Sequence, residues 1–210
     1  VKDLLQKCRS THGEILLDSR EMADPELRSK VIRALDLPPA FWGDMWPSLY
    51  RLFEEVRRHS TVALSGESAD EVFGGYRWFH DPAAIQADTF PWLTSVTGKY
   101  FDGKPLFAKG LMEKLSMDEF VADSYQQALR DVPVLPGESA TDKRMREMPH
   151  VNLTRFVQTL LDRKDRMSMA VGLEVRVPFC DHRLVEYAFN IPWEIKAFDG
   201  REKSILRAAT

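Results

Sequence analysis

Cysteine is scarce in this sequence: Cys8 and Cys180 are the only two in 210 residues, and they lie far apart. Such a pair builds neither a disulfide framework nor the closely spaced pattern of a metal site, and it suits a reducing, cytoplasmic setting. No run of 18 or more apolar residues occurs, so no transmembrane helix and no membrane partner are expected. The opening Val1-Lys2-Asp3-Leu4-Leu5 lacks the long apolar stretch and small-residue cleavage site of a signal peptide. An excess of one charge is lacking too. The 29 Lys and Arg are interleaved with 32 Asp and Glu, for a net charge of −3. That balance excludes the basic footprint of a nucleic-acid binder. Internal repeats and low-complexity segments are also absent.

What is present suffices for one sizeable core. Hydrophobic residues make up 44% of the chain, and five Trp and twelve Phe supply large apolar surfaces. Residues 13–17 read as a short strand. Asp24 is placed to cap a helix that starts at Pro25, carries a stripe of Leu27, Val31 and Leu35, and ends at Pro38-Pro39. Leu49, Leu52, Phe53 and Val56 mark a second helix that stops near His59. Thr61 to Leu64 reads as a buried strand, and Ser65-Gly66 turns the chain at its end. Helix followed by buried strand is the rhythm of an α/β fold with parallel pairing. Beyond residue 76 the pattern becomes helical. Ser116 with Glu119 suggests a capping box for a helix to about Arg130, and 132–141 reads as a Pro/Gly linker. Residues 142–169 lack glycine, with Pro149 as the sole break and Phe156, Leu160 and Leu161 as a core face. Asp181 caps a further helix through Phe189. The start near Leu4, Leu5 and Cys8 and the stop at Ala208-Ala209-Thr210 both fall inside helical patterns, so both ends are expected to be cuts in a longer chain.

Chemistry concentrates in three segments. Ser65 to Tyr76 reads Ser-Gly-Glu-Ser-Ala-Asp-Glu-Val-Phe-Gly-Gly-Tyr. Gly66 falls at the carboxyl end of a strand, where open α/β sheets bind ligands. Glu67, Asp70 and Glu71 crowd the following turn, a donor set that suits Mg²⁺ bridging to phosphates. The same acids equally suit the N-terminus of a short helix. Adjacent Gly74 and Gly75 imply a special backbone shape. Asp162 to His182 holds Arg163, Lys164 and Arg166. They could neutralise a phosphate, but spacing favours a solvated face paired with Asp162 and Asp165. Gly200 to Thr210 places Lys203 before a helical pattern with Ile205 and Leu206 on one face. By spacing alone Lys203 is a surface lysine.

Together, and in this order, the three segments resemble the synthetase domain of glutamine-hydrolysing asparagine synthetases. The first is similar to that family's Ser-Gly-Glu-Gly-x-Asp-Glu-x-Phe-Gly-Gly-Tyr signature, with Ser68 in place of Gly. The second is similar to Asp-Arg-Met-Ser-Met-Ala…Leu-Glu-x-Arg-x-Pro-Phe-Leu-Asp-His, with Cys180 in place of Leu. The third is similar to Gly…Lys-x-x-Leu-Arg, with Lys203 at the lysine, and His12-Gly13-Glu14 fits the segment before a strand. The resemblance implies an α/β fold: an adenine-nucleotide α-hydrolase-like parallel sheet, only partly present, with a predominantly helical second half. Residues 1–76 would be the partial nucleotide-binding region and 77–210 the helical part of the same domain. It implies ATP and Mg²⁺, adenylation of the aspartate side-chain carboxylate with loss of pyrophosphate, and amidation by ammonia drawn from glutamine. By position, Ser65 and Gly66 would contact ATP or AMP, Glu67 would act on the incoming ammonia, Asp70 would hold Mg²⁺, and Lys203 would stabilise charge on the phosphates. A homodimer is compatible with it.

The family's Ser-Gly-Gly-x-Asp-Ser pyrophosphate loop and its N-terminal glutaminase domain are expected upstream of residue 1, and Cys8 is no candidate for the glutaminase nucleophile. Other readings stay open: a β-lactam-synthetase-like or other amide-forming relative, a tRNA-modifying relative, which the absence of a basic patch disfavours, or a degenerate, non-catalytic interaction domain. Without the loop, whose backbone N–H groups cradle the anion, residues 1–210 alone are expected to bind Mg-ATP weakly or not at all. Titration calorimetry checks this, and a low-micromolar dissociation constant would overturn it.

Overall fold

The computed structural model describes residues 11–37, 45–94 and 108–210, together with Lys7. They form two compact units, one from Val1–Val62 and Arg166–Glu174, the other from Ala63–Asp165 and Val175–Thr210.

In the first unit, α1 (Ser19–Met22) starts from a capping box between Asp18 and Glu21. Helix α2 (Pro25–Leu35) begins as its sequence dictates. Asp24 accepts a hydrogen bond from the Glu26 N–H at 3.0 Å, and Pro25 occupies a first-turn position whose missing N–H costs nothing. Leu27, Val31 and Leu35 recur every fourth residue and are buried on one face. Helix α3 (Met45–His59) contributes Pro47, Tyr50 and Phe53 to the same unit's core. Helix α2 ends at Asp36, in the left-handed region with φ 53°. The stop therefore precedes Pro38-Pro39, which lies outside the described residues.

The strand expected at residues 13–17 is not formed. The segment is irregular, and Leu16 is 85% exposed. No described residue pairs with its backbone, and a strand without a neighbour leaves its polar groups to water. The strand expected near 61–64 does form, as β1 (Val62–Leu64). It pairs with β2 (Glu174–Arg176). Glu174 N–H donates to the Thr61 carbonyl and Ser65 N–H to the Arg176 carbonyl, both at 2.9 Å, so the strands are parallel. The expectation that β1 is buried is corrected, because Leu64 is 74% exposed. Among the described residues β1 has one neighbouring strand, too little sheet to enclose both of its faces. The architecture is mixed α/β, mostly helical, with this small sheet.

The second unit carries α4 (Ala69–Phe73), a 3₁₀ turn (Arg77–Phe79), α5 (Pro82–Gln86), α6 (Pro91–Thr94), α7 (Lys109–Leu115) and α8 (Met117–Arg130). After the linker come α9 (Ala140–Val151), a π-turn (Asn152–Phe156) and α10 (Val157–Ala170), the last shared with the first unit. A 3₁₀ turn (Pro178–Cys180), α11 (His182–Phe189), α12 (Trp193–Lys196) and α13 (Ser204–Ala209) complete it. Ser116 does not build the expected capping box. It ends α7 and starts α8 at once, in the left-handed region at φ 45°, and its side chain caps nothing. Ser139 caps α9 instead, accepting from the Asp142 N–H. Pro149 does not break the helical run: α9 continues past it and widens into the π-turn. A π-turn is one of the known ways of absorbing a disturbance in the i→i−4 ladder.

Among the described residues of this unit, three apolar clusters stand out. One joins Trp78, Phe79 and Ala84 to Met145 and Met148, and a second joins Phe90 to Tyr125, Ala128 and Val151. The third matters most for function. Val72 and Phe73 of α4 pack with Ala188 of α11, and Ile205 and Leu206 of α13 lie against them. A five-residue helix cannot persist alone, so α4 is held by what covers its apolar side. Gly74 ends it with φ 65°. A Cβ at that position would lie 2.5 Å from the Trp193 ring. Gly74→Ala therefore combines backbone strain with overpacking, and a loss of about 1–3 kcal/mol is expected. Gly66 has open space around it, so Gly66→Ala should melt within about 0.5 kcal/mol of the parent. Chemical denaturation of both variants in the full-length protein checks the contrast.

Candidate active site

The site grows from the end of β1. The Ser65 N–H closes the strand pair, and the next four residues turn sharply. Ser68 stands in the left-handed region at φ 75° and is buried. Its carbonyl accepts the Val72 N–H, which starts α4. Gly75 then returns to donate to the Asp70 carbonyl at 2.8 Å, and a Cβ on Gly75 would fall 1.8 Å from Asp70 Oδ1. The special backbone shape implied by Gly74-Gly75 is thus present, and it gives the Asp70 side chain room over the turn.

Three carboxylates lie within five residues here, and each is accommodated differently. Glu67 Oε1 accepts from Lys164 Nζ at 2.7 Å and has Arg163 at 4.0 Å. The same ammonium donates to Ser65 Oγ at 2.5 Å. Asp70 Oδ1 accepts from Lys203 Nζ at 2.7 Å. Glu71 is fully buried and meets no cation among the described residues. Its Oε1 accepts the Tyr76 O–H at 2.7 Å, and its Oε2 has no hydrogen-bond partner. Burial pushes the Glu71 carboxyl above its ordinary value, and the charges of Asp70 and Glu67 add to that. Burial, with Glu71 beside it, likewise raises the Tyr76 phenol and keeps it neutral.

The structure therefore brings Ser65 and Glu67 together through Lys164, and Asp70 and Lys203 together directly. Gly66 is exposed, and a Cβ built on it would meet nothing within 4 Å. Lys203 reaches Asp70 because Ile205 and Leu206 dock α13 on the cluster that holds α4. It stands at the helix start with φ 53°, and its partner is 133 residues away in sequence. It is not the solvated surface lysine that spacing suggests. The solvated face expected for Arg163 and Lys164 is also corrected, since their side chains are only 12% and 10% exposed. Both turn toward Glu67, because α10 presents them to the turn rather than to water. Spacing within a helix carries no trace of a contact made 99 residues away.

Two further features were not legible. Ser68 Oγ meets Cys180 Sγ at 2.5 Å, so the two positions that depart from the resembled signatures touch each other. Cys180 is a free thiol; Cys8 lies outside the described residues. Beside Lys164 a cleft of 360 Å³ opens, lined by Leu161, Asp162, Asp165, Val175 and Val177. Its size lies within the range of small-molecule sites.

Glu71 gives a pH test. Its carboxyl is raised above 4.5 in the folded state. The neutral form is therefore favoured by folding, and the associated stability is present below the unfolded value and lost as pH rises through the folded one. Glu71→Gln keeps the shape without a charge to bury. Its melting temperature should exceed the parent's by a margin that widens from pH 5 to pH 8. A constant difference across that range would mean that Glu71 does not titrate with folding.

Known proteins are similar to this chain along its whole length. The family model of asparagine synthase matches residues 1–210. Asparagine synthetase [glutamine-hydrolyzing] 3 of Bacillus subtilis (strain 168) is 40% identical over 209 residues, covering 100% of this chain and 32% of that protein. Asparagine synthetase [glutamine-hydrolyzing] 1 of the same organism is 31% identical over 186 residues, covering 77% of this chain and 29% of its own length. The human asparagine synthetase [glutamine-hydrolyzing] is 25% identical over 201 residues, with 94% and 25% coverage. The chain thus spans about a third or less of the length of these relatives. With its whole length matched, the chain belongs to the asparagine synthase family.

Proposed function

We propose that the full-length protein is a glutamine-dependent asparagine synthetase, working in the cytoplasm, and that this chain carries much of its aspartate-activating site. The observation that carries the reading is the pairing of two carboxylates of the turn after β1 with two lysines distant in sequence, in a member of this family. The small parallel sheet is read as part of an adenine-nucleotide α-hydrolase-like sheet, and the ligand lies at its carboxyl edge.

In this reading an oxygen of the aspartate side chain attacks the α-phosphorus of ATP, the α–β phosphoanhydride bond breaks, and pyrophosphate leaves. Ammonia, made from glutamine by a separate domain, then attacks the acyl carbon. Its nitrogen loses a proton, AMP departs, and asparagine results. Ser65 and Gly66 receive the adenylate. Gly66 fits because nothing in the fold requires a glycine there, whereas a close backbone approach to a ligand does. Glu67 orients the ammonia and accepts its proton. Lys203 stabilises the charge that builds on the phosphates, the term that usually dominates such chemistry.

Mg²⁺ needs a separate test of fit. Among the described residues no group of three or more His, Cys, Asp or Glu is placed to hold a metal ion. An ion gripped by protein alone is therefore not supported. Mg²⁺ commonly keeps its waters and binds through one or two carboxylates plus substrate phosphates, and the partly exposed Asp70 carboxylate suits that role. Asp70 would hold it, and the ion would supply charge neutralisation at the phosphates.

Two variants of the full-length enzyme test the assignment. Asp70→Asn keeps the shape but removes the charge, so aspartate-dependent ATP–pyrophosphate exchange should be abolished while glutaminase activity persists. Near-normal exchange would reduce Asp70 to a structural role. Lys203→Met keeps the apolar stem. Single-turnover adenylation should fall roughly 10²–10³-fold, about 2.7–4 kcal/mol, with ATP binding little changed. Adenylation within a few-fold of the parent would remove Lys203 from the chemistry.

A further inference from the structure

We propose that Lys164 is a positioning residue for Glu67, and so a further determinant of the amidation step. The inference rests on the reading of Glu67 given above. Lys164 is buried to 8% exposure, and its ammonium spends two of its three N–H groups on Ser65 Oγ and Glu67 Oε1, at 2.5 and 2.7 Å. Taking an ammonium out of water costs several kcal/mol unless close partners offset it. A lysine serving only solubility or a loose ion pair would lie at the surface, where such pairs form with little desolvation and contribute little.

The geometry gives the contact a direction. Lys164 stands on α10, a 14-residue helix, whereas Ser65 and Glu67 stand on a turn that precedes a five-residue helix. The longer element fixes the shorter one. Because one ammonium holds both the last residue before Gly66 and the acid after it, the turn is pinned on either side of the residue that would approach the nucleotide. The other nearby cation, Arg163, reaches Glu67 only at 4.0 Å and cannot replace the close contact. Lys164 also lines the 360 Å³ cleft, so a ligand entering there meets the same group that orients Glu67. Nothing in the local sequence pattern assigns this role to Lys164, and the three residues unite only in the fold.

The test is a double-mutant cycle in the full-length enzyme with Lys164→Met, Glu67→Gln and the pair, read by ammonia-dependent asparagine formation and by thermal melts. Displacing a catalytic group by about 1 Å can cost on the order of 10²-fold. Lys164→Met should therefore lower kcat for amidation by about 10- to 100-fold. ATP–pyrophosphate exchange should fall as well, because the same ammonium donates to Ser65, and it measures that part of the loss, whereas the KM for ammonia should change much less. In the Glu67→Gln background the same change should cost much less, limited to what is lost through Ser65 and read separately by the exchange assay, because Lys164 then has no carboxylate to position. An equal loss in both backgrounds, or an amidation rate in Lys164→Met within about two-fold of the parent, overturns the proposal. Should Glu67→Gln itself amidate normally, the role given to Glu67 fails instead. The melts then decide the contact alone: non-additive melting temperatures uphold the Lys164–Glu67 tie, and additive ones refute it. If Lys164→Met does not fold, Lys164→Gln, which keeps a donor without the charge, takes its place in the same cycle.

Discussion

Three acids within five residues repel one another, and the whole arrangement after β1 can be understood as the answer to that repulsion. Two like charges about 4 Å apart cost on the order of 4 kcal/mol near a protein surface. The fold brings in Lys164 from α10 for Glu67 and Lys203 from the start of α13 for Asp70. For Glu71 it brings in no cation among the described residues: burial pushes its carboxyl above the ordinary value, and the Tyr76 hydroxyl that donates to it offsets part of that push. One turn thus holds two carboxylates paired with lysines and one that is buried instead.

This arrangement works only because the pieces are held by packing rather than by their own stability. Helices α4 and α13 have five and six residues, too few to persist alone. They share the apolar cluster of Val72, Phe73, Ile205 and Leu206. The charge pair Asp70–Lys203 therefore sits on a hydrophobic mount, and core residues without any polar atom govern where the two charged groups meet.

Local signals were legible in proportion to how local their causes are. The cap at Asp24, the stripe of Leu27, Val31 and Leu35, the cap at Asp181 and the special backbone shape at Gly74-Gly75 all rest on interactions within a few residues, and the structure contains them. The strand at 13–17 and the burial of β1 depend on neighbours that local pattern cannot supply, and neither holds among the described residues. At the site, the acids of the turn announced themselves as a cluster. Their partners did not: Lys164 and Lys203 look like ordinary helical lysines, and only the resemblance of whole segments singled out Lys203. Lys164 had no such help. Ser116 shows a different limit, because its pattern fits a capping box while its backbone, caught between two helices, cannot make one.

The contact between Ser68 and Cys180 constrains how this chain can be altered. Glycine is the residue that enters the left-handed region freely, and Ser68 stands there at φ 75°. Its hydroxymethyl group is buried against the Cys180 thiol. A leucine at 180 would push branched carbon into that hydroxyl, whereas a glycine at 68 would leave the thiol facing an empty pocket. Exchanging either position alone trades one fault for another, and exchanging both removes the conflict. A change at either position of this chain therefore bears directly on the other, although 112 positions separate them along the sequence.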